Sequence, residues 1–317
     1  MAENHGALVE SFDEPPHYRV VPEPQPDGEH EIVDVLAVGI HPATRGIAAG
    51  RHYTSRGSLP VLAGADAVVR RPDGSLAYVM APGAGTLAER IAIDPAAAVP
   101  VPAGADTAVV AATMNPALSS WAALRGRAGF QPGQSVLVMG ATGNAGSMAV
   151  RAARRLGASR VVAAGRNQAR LRELLSEGAD EIVAITADEN ATAASFAAAA
   201  ADVDVVLDYV WGPPAELAIR AISDARTDHV RLLEWVQVGG MGGPDITLGG
   251  SVLRQNALRI SGSGFGSVPI GRAALPELAA AVAAGGLTVT PRPVPLAEVE
   301  QAWSHQDRPG ERTVIIP

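Results

Sequence analysis

The first third of the chain contains short apolar runs separated by Gly, Pro and Asp. These runs cover residues 32–38, 67–69, 77–80 and 90–93, and all lie between Glu31 and about Pro102. Brief apolar runs with frequent turn residues are typical of a β-rich, turn-dense domain. We therefore predict strands at these four places.

The pattern changes after Pro102. An alanine-rich segment with helical spacing, residues 107–124, leads through the turn Gln131-Pro132-Gly133-Gln134 into a buried strand over 135–139. Helix and strand patterns then alternate, with helices predicted over 147–156, 168–177, 191–201 and 215–223, and strands over 160–164, 181–185, 203–210 and 231–238. Such alternation predicts right-handed βαβ crossovers, and hence an α/β Rossmann fold with a doubly wound parallel sheet.

The tail contains one helical pattern, 273–284, and a closing strand, 312–316, which we expect to return to the first domain. A chain of 317 residues exceeds the usual size of one compact core. We therefore predict two domains: a β-rich domain of residues 1–112 and 265–317, and a Rossmann domain of residues 113–264.

Composition excludes several classes of chemistry. The chain has no cysteine and no lysine, so disulfides, thiolate nucleophiles, sulfur-ligated zinc, a lysine Schiff base and a P-loop lysine are all excluded. The net charge is -8 and the arginines are scattered, which argues against nucleic acid as a partner. Neither a run of about 18 apolar residues nor a signal peptide is apparent, so we expect no membrane span and a cytoplasmic location.

A glycine-rich turn follows the predicted strand over 135–139. Gly140, Gly143 and Gly146 have the spacing GxxGxxG and precede a helix. The first glycine permits a tight turn, the second lets a pyrophosphate approach the backbone, and the third lets the helix pack close to the strand. The predicted cofactor-binding residues of this turn are Gly140, Thr142, Gly143, Asn144, Ala145 and Gly146.

The end of the next strand indicates which dinucleotide binds. An NAD site usually has an acidic residue there for the adenosine ribose, but this chain has Gly165-Arg166-Asn167. The small Gly165 leaves room for a 2′-phosphate, and Arg166 offers a planar donor, with Arg170 one turn further on. We therefore predict NADPH as the cofactor, with Gly165, Arg166, Asn167 and Arg170 in its site. The alternative is that Arg166 is only a solvated loop arginine.

These motifs resemble the medium-chain dehydrogenase/reductase superfamily, and within it the zinc-free quinone oxidoreductase-like members. The resemblance rests on the glycine-rich turn with its preceding strand and on four further motifs: Gly85-Thr86-Leu87-Ala88-Glu89-Arg90, Leu156-Gly157-Ala158, Gly178-Ala179-Asp180 and Asp204-Val205-Val206-Leu207-Asp208-Tyr209-Val210. It implies a GroES-like catalytic domain at the N-terminus, a Rossmann domain, a C-terminal return to the first domain, and an active site in the cleft between the two.

The resemblance also indicates metal-free chemistry. Zinc-dependent relatives have a His-Glu pair after a glycine where this chain has Gly64-Ala65-Asp66, and they need cysteine elsewhere. Without a Lewis acid, hydride addition to a quinone or conjugated enone is favoured over oxidation of simple alcohols. We therefore expect an NADPH-dependent reductase with no metal.

Two candidate catalytic residues follow from the resemblance. Many relatives have Asn-Pro-x-Asp where this chain has His41-Pro42-Ala43-Thr44, so His41 is expected near the nicotinamide and could donate to a substrate oxygen; alternatively, it caps the turn. Tyr53 matches a tyrosine at the cleft mouth that could hydrogen-bond a carbonyl, or it is a half-buried packing residue.

Further candidates lie after two later strands. The backbone at Gly239 and Gly240 is expected near the ribose and nicotinamide, because ligands bind at the carboxyl ends of Rossmann strands. Trp211 and Met241 are expected to line a substrate pocket, although an interface role for Trp211 is an equal alternative.

Residues 246–266 read as a helix followed by a strand, which in the family often pairs across a two-fold axis. We therefore expect a homodimer. Two alternatives to the quinone or enone reductase remain open: a biosynthetic reductase or dehydrogenase for a specialised metabolite, and a non-catalytic NADPH-binding sensor.

Overall fold

The computed structural model describes residues 3–25, 27–55, 58–267 and 274–317. The chain divides into two compact units within the helix Thr107–Trp121. The β-rich unit comprises Met1–Asn115 and Arg272–Pro317, and the Rossmann unit comprises Pro116–Gly271. Ala273, where the last long helix was predicted to start, lies outside the described residues.

Strands dominate the first part of the chain, and strands alternate with helices after it. In chain order the elements are β1 Asn4–Val9, β2 His17–Val21, β3 Glu31–Gly39, α1 Pro42–Ala48, β4 Val61–Leu62, β5 Asp66–Arg70, β6 Leu76–Met80, β7 Arg90–Ile93, β8 Val99–Val101, α2 Thr107–Trp121, β9 Ser135–Met139, α3 Asn144–Arg155, β10 Arg160–Gly165, α4 Gln168–Leu174, β11 Glu181–Ala184, α5 Glu189–Ala200, β12 Val205–Asp208, α6 Gly212–Ala225, β13 Leu233–Gln237, α7 Gly250–Gln255, β14 Leu258–Gly262, α8 Ala274–Ala283, β15 Thr290–Pro295, α9 Val299–Ser304 and β16 Glu311–Ile316. A π-helical segment, Ala122–Arg127, continues α2.

The β-rich unit contains two sheets within its described residues. One has the strand order β2-β1-β4, and the other has the order β15-β16-β3-β5-β6-β8, with β7 also paired to β3. All pairs except β15 with β16 are antiparallel. Alternate residues of β3 and β5, including Val33, Val35 and Val69, face a common apolar core with Ile315 of β16. The strands predicted in this region are present, and β16 returns the C-terminal segment to the first unit.

Five strands of this unit were not predicted from the sequence: β1, β2, β4, β8 and β15. The segment of β1 lies before the first predicted strand, although Ala7 and Val9 are fully buried. The edge strand β15 has the sequence Thr-Pro-Arg-Pro-Val-Pro, and proline normally argues against a strand. An edge position tolerates these prolines, because one side of the strand has no neighbour to receive backbone donors.

The Rossmann unit confirms the predicted doubly wound parallel sheet. Its strands have the order β11-β10-β9-β12-β13-β14 in the described part of the unit, and every pair is parallel. With β9 as the first strand, this is the order 3-2-1-4-5-6, in which the direction of winding reverses between β9 and β12. The ligand crevice of such a sheet lies at the carboxyl ends of the strands beside that reversal.

Local sequence explains the helices that cover this sheet. In α3 the buried positions recur at helical spacing and include Met148, Ala149, Ala152 and Ala153. Arg154 lies in the last turn, where its positive charge interacts favourably with the negative end of the helix dipole. The helix α5 is capped by Asp188, whose carboxylate accepts the N–H of Ala191 in the first turn. The apolar residues of α5 contribute to a core around Phe196 and Trp235. No helix among the described residues is both long and apolar enough to cross a bilayer.

Candidate functional site

The glycine-rich turn lies between β9 and α3, at the carboxyl end of the first strand. Gly140 has a φ of +81°, which side-chain-bearing residues rarely adopt, and its N–H donates to the carbonyl of Ala164 at 2.9 Å. A Cβ on Gly146 would lie 2.1 Å from the carbonyl oxygen of Gly140, so this glycine is required by packing. A Cβ on Gly143 would meet only that same oxygen, at 3.7 Å, so Gly143 borders open space.

The first turn of α3 faces this open space. Gly143 is the N-cap residue, with extended backbone, and Ser147 is the first residue whose N–H bonds back to it, at 2.8 Å. By helix geometry the amides of Ala145 and Gly146 therefore have no acceptor within the helix. Such amides and the helix dipole attract phosphate. The turn thus fits a dinucleotide pyrophosphate.

The predicted 2′-phosphate site lies at the end of β10. A Cβ at Gly165 would lie 2.8 Å from the Thr142 side chain, which keeps this position small. The side chain of Arg166 is exposed and has no hydrogen bond or ion pair to any described residue. The oxygen Oδ1 of Asn167 accepts the N–H of Arg170 at 3.1 Å and so caps α4.

The second predicted cation, Arg170, is already paired. Its guanidinium donates to Glu173 at 2.9 Å and to both carboxylate oxygens of Glu177, and these bonds raise its pKa. A role for Arg170 on a 2′-phosphate therefore requires it to exchange one of these partners. This leaves Arg166 as the freely available guanidinium of the predicted pair within the described part of the chain.

The predicted nicotinamide side of the site lies after β12 and β13. Gly239 donates its N–H to the carbonyl of Asp208 at 3.1 Å, and Gly240 follows it in an exposed loop. Met241 is 84% exposed, whereas Trp211 is partly buried against the core of the Rossmann unit. The structure thus brings Gly239 and Gly240 to the carboxyl edge of the sheet, next to the end of β12.

His41, predicted near the nicotinamide, is enclosed within the β-rich unit. It precedes α1 as the N-cap residue, its N–H donates to Thr44 Oγ1 at 3.2 Å, and its ring is 1% exposed. Burial lowers the pKa of His41 well below its usual value, and the charge of Arg312 lowers it further. The imidazole is therefore neutral, and a direct bond to substrate would require the ring to become accessible.

Asp66 and Tyr78 form a buried cluster with His41 that sequence reasoning missed. The hydroxyl of Tyr78 donates to Asp66 Oδ2 at 2.6 Å, and that oxygen lies 3.6 Å from His41 Nε2. Burial raises the pKa of Asp66 to about 7, against the opposing effects of Tyr78, Asn115 and Arg312. The available signal was an acidic residue directly before the three apolar residues of β5, Ala67, Val68 and Val69.

Tyr53 occupies an exposed turn after α1. Its side chain is 69% exposed, and its ring packs on His52 with the ring centroids 4.2 Å apart. The packing alternative assumed a half-buried ring, whereas most of this ring is accessible. An accessible phenol can donate a hydrogen bond to a small molecule.

The described residues do not fit the zinc site of the zinc-dependent relatives. Ala65 stands where those relatives have a histidine ligand, and the chain has no cysteine. Elsewhere, ligand atoms of His305, Asp307 and Glu311 lie within 4.8 Å of one another. However, Asp307 Oδ1 already accepts the N–H and the hydroxyl of Thr313, at 2.9 and 2.6 Å, as part of the fold.

Comparison with known proteins agrees with this architecture over the full chain. The chain is 32% identical to the probable NADPH-dependent quinone reductase tdiC of Emericella nidulans, over 99% of this chain and 100% of that protein. A crystal structure of the quinone oxidoreductase from Thermus thermophilus, solved also with NADPH, has a TM-score of 0.78 and 25% identity, covering 99% of this chain and 100% of the other. A mycobacterial quinone oxidoreductase superposes with a TM-score of 0.81 at 19% identity, covering 99% and 100% of the two chains, and shows the shared fold.

A family model described as "Zinc-binding dehydrogenase" matches residues 145–284. That match does not include Gly64-Ala65-Asp66, the segment where zinc-dependent relatives have two metal ligands. Together with the full-length relative, these findings confirm the resemblance seen in the sequence. The chain belongs to the medium-chain dehydrogenase/reductase superfamily, in its zinc-free quinone oxidoreductase-like branch.

Proposed function

We propose that this protein is an NADPH-dependent reductase that delivers hydride to a quinone or a conjugated enone without a metal ion. The single observation that carries the proposal is the exposed guanidinium of Arg166, which has no ion-pair partner among the described residues and follows Gly165 beside the glycine-rich turn. When bound, NADPH supplies the hydride. The protein has to bind it, orient it and provide hydrogen bonds to the acceptor.

The Rossmann unit holds the cofactor in this proposal. The amides of the α3 first turn, from Asn144 to Gly146, bind the pyrophosphate, and Thr142 lies in the same turn with its side chain against Gly165. Arg166 pairs with the 2′-phosphate through two parallel hydrogen bonds, and Arg170 adds positive charge behind it. The backbone of Gly239 and Gly240 contacts the ribose and nicotinamide.

Two observations support NADPH rather than NADH. No carboxylate follows β10 to bind a ribose 2′-hydroxyl, since the strand ends in Gly165 and Arg166 follows it. The relative from Emericella nidulans is named as NADPH-dependent, and the Thermus thermophilus enzyme was crystallised with NADPH.

The nature of the acceptor follows from the missing zinc ligands and from the relatives. With Ala65 in place of a ligand, no Lewis acid is held to polarise an alcohol, whereas a quinone or enone is already activated. The Emericella nidulans relative is named a quinone reductase, and the Thermus thermophilus relative is named a quinone oxidoreductase. We assign the acceptor hydrogen bond to Tyr53, with the neutral His41 as a further donor once accessible, and assign Trp211 and Met241 to the substrate pocket.

The decisive experiment measures oxidation of NADPH and NADH by purified, chelator-treated protein against quinones, enones and simple ketones. Arg166→Ala should weaken NADPH by about 1.5 to 3 kcal/mol, roughly ten- to hundredfold, and should leave NADH nearly unchanged. Arg172→Ala, an exposed arginine on the same helix, α4, is the matched control and should change neither.

The outcomes separate the alternatives. Turnover of quinones or enones with a preference for NADPH that Arg166→Ala abolishes supports the proposal. Equal losses for both cofactors would contradict the role of Arg166. Tight NADPH binding with no turnover on any acceptor would favour a sensor or a specialised substrate instead.

We further propose that two copies associate through β14. This strand is at one end of the parallel sheet, and an edge strand with free backbone groups can pair with a second copy. Light scattering should then give twice the chain mass, and Ile260→Pro in the strand should give the monomer mass. A monomeric wild-type protein would contradict the dimer without affecting the cofactor assignment.

A further inference from the structure

Three loops meet at the carboxyl edge of the parallel sheet in the Rossmann unit. The segment after β12 packs against the glycine-rich turn, since a Cβ on Gly140 would lie 3.1 Å from Val210 and 3.2 Å from Tyr209. The same segment packs against the loop after β13, because a Cβ on Gly239 would lie 2.9 Å from the carbonyl oxygen of Tyr209 and one on Gly242 would lie 2.7 Å from that of Trp211. The segment after β12 therefore contacts both neighbouring loops, but the glycine-rich turn is also held from β10, because the N–H groups of Gly140 and Ala141 donate to the carbonyl of Ala164.

Asp208, the last residue of β12, hydrogen-bonds to the segment after β12 and to residues at the end of β13. Its side chain is completely buried, and its Oδ1 accepts the N–H groups of Val210 and Trp211 at 2.8 and 2.9 Å. Its Oδ2 accepts the indole N–H of Trp235 at 3.0 Å. Its backbone carbonyl accepts the N–H groups of Val238 and Gly239, at 2.7 and 3.1 Å.

The loop that Asp208 holds is strained. Trp211 has a φ of 55° and a ψ of -167°, and it is the only non-glycine residue in the described chain with a positive φ. This conformation is close to the region that glycine alone adopts readily, and it persists only where surrounding contacts impose it. Its N–H bond to Asp208 is one of those contacts, and the close packing with Gly242 is another.

We propose that Asp208 is a positioning residue for the nicotinamide half of the cofactor site. It acts through the backbone of residues 209–212 and through Gly239, and it has no part in holding the adenosine half, which lies at β10 and Arg166. This inference rests on the proposed function, because it presumes that the Rossmann unit binds NADPH. It predicts that loss of Asp208 weakens the binding of ligands that contain the nicotinamide half and leaves the binding of the adenosine half nearly unchanged.

The test is Asp208→Asn, measured by calorimetric titration with NADPH, NADH and adenosine 2′,5′-bisphosphate. The asparagine keeps the size of the side chain, but its NH₂ group must face either the two loop amides or the indole N–H, all of which are donors. We expect Kd to rise about tenfold for both NADPH and NADH. The bisphosphate carries the adenosine with its 2′- and 5′-phosphates and lacks the nicotinamide half, and its Kd should change less than twofold.

Asp204→Asn is the matched control. Asp204 is a buried carboxylate directly before the same strand, β12, and it binds Ser135 and Arg231 at the opposite end of the sheet. This variant should lower the melting temperature without changing the relative affinities of the three ligands. If Asp208→Asn does not fold, Asp208→Ser keeps one acceptor for the loop amides and should show the same selectivity with a smaller change.

Each outcome decides between the hypotheses. Loss of NADPH and NADH affinity with intact bisphosphate binding supports the positioning role. Equal weakening of all three ligands, or no change in any, overturns it while leaving the proposed function in place. Failure of the wild-type protein to bind NADPH, NADH and the bisphosphate would overturn the proposed function itself, and this inference with it.

Discussion

Asp66 should make the stability of this protein fall as the pH rises. The carboxyl group is 1% exposed, and burial raises its pKa from 3.8 to about 7. In the unfolded chain the group loses its proton near pH 4, whereas in the folded protein it keeps the proton until about pH 7. Its contribution to stability is therefore complete below pH 4 and declines steadily until it levels off above pH 7.

The size of this effect follows from the two pKa values. Each tenfold difference in proton affinity is worth about 1.4 kcal/mol, so the difference between 3.8 and about 7 amounts to about 4 kcal/mol. Asp66→Asn removes the titration but keeps an oxygen that can accept the Tyr78 hydroxyl. At pH 8 the free energy of unfolding of the variant should therefore exceed that of the wild type by about 3 to 4 kcal/mol, reduced by the cost of any hydrogen bond that the asparagine does not make. Near pH 4 the variant should be no more stable than the wild type.

Urea unfolding followed by tryptophan fluorescence, at intervals from pH 4.5 to 8.5, measures this difference. His41 titrates in the opposite sense, because its lowered pKa costs stability as the pH falls below about 6.5. It is present in both proteins, so its contribution largely cancels in the comparison. Asp34→Asn, the same substitution at an exposed position of β3, is the control variant. A difference in stability between the wild type and Asp66→Asn that does not vary with pH would refute the reasoning.

Three further changes test the candidate site. Gly143→Ala should keep the wild-type melting temperature, because the added Cβ fits. It should raise the Kd for NADPH at least tenfold, or about 1.4 kcal/mol, by occupying the space of the pyrophosphate, and calorimetric titration measures this Kd. Gly146→Ala should instead lower the free energy of unfolding by at least about 1 to 3 kcal/mol, because the added Cβ collides with the Gly140 carbonyl. An unchanged melting temperature would contradict the packing argument. Tyr53→Phe should lower kcat/KM for a quinone about tenfold, the value of one hydrogen bond, with no change in melting temperature; unchanged kinetics would remove Tyr53 from the site.

The parts of the site that depend on local sequence could be predicted. Gly140, Gly143 and Gly146 are defined by a strand, a turn and a helix that are contiguous in the chain, so their spacing was sufficient. The alternating pattern likewise predicted the parallel sheet, although individual bounds moved by a few residues; for example, the strand predicted over 203–210 is Val205–Asp208.

The parts that depend on tertiary contacts could not be predicted. His41 and Asp66 are far apart in the sequence, and only the folded β-rich unit shows that both are buried and adjacent. Similarly, the pairing of Arg170 with Glu177 joins α4 to the residues beyond its end, so the sequence alone could not show that this guanidinium was already engaged. In each case the residue type was visible, but its partner was not.

The prolines of β15 determine what can attach to the β-rich unit. Thr290 directs its N–H toward the β16 side, to Gly310, so the alternate positions, Pro291, Pro293 and Pro295, are the ones whose amides would point outward. Proline has no N–H, and the outer rim of this sheet therefore offers carbonyl oxygens without matching donors. An incoming β-strand from a neighbouring molecule cannot complete a ladder there, which protects this border from the edge-to-edge aggregation to which exposed strands are prone.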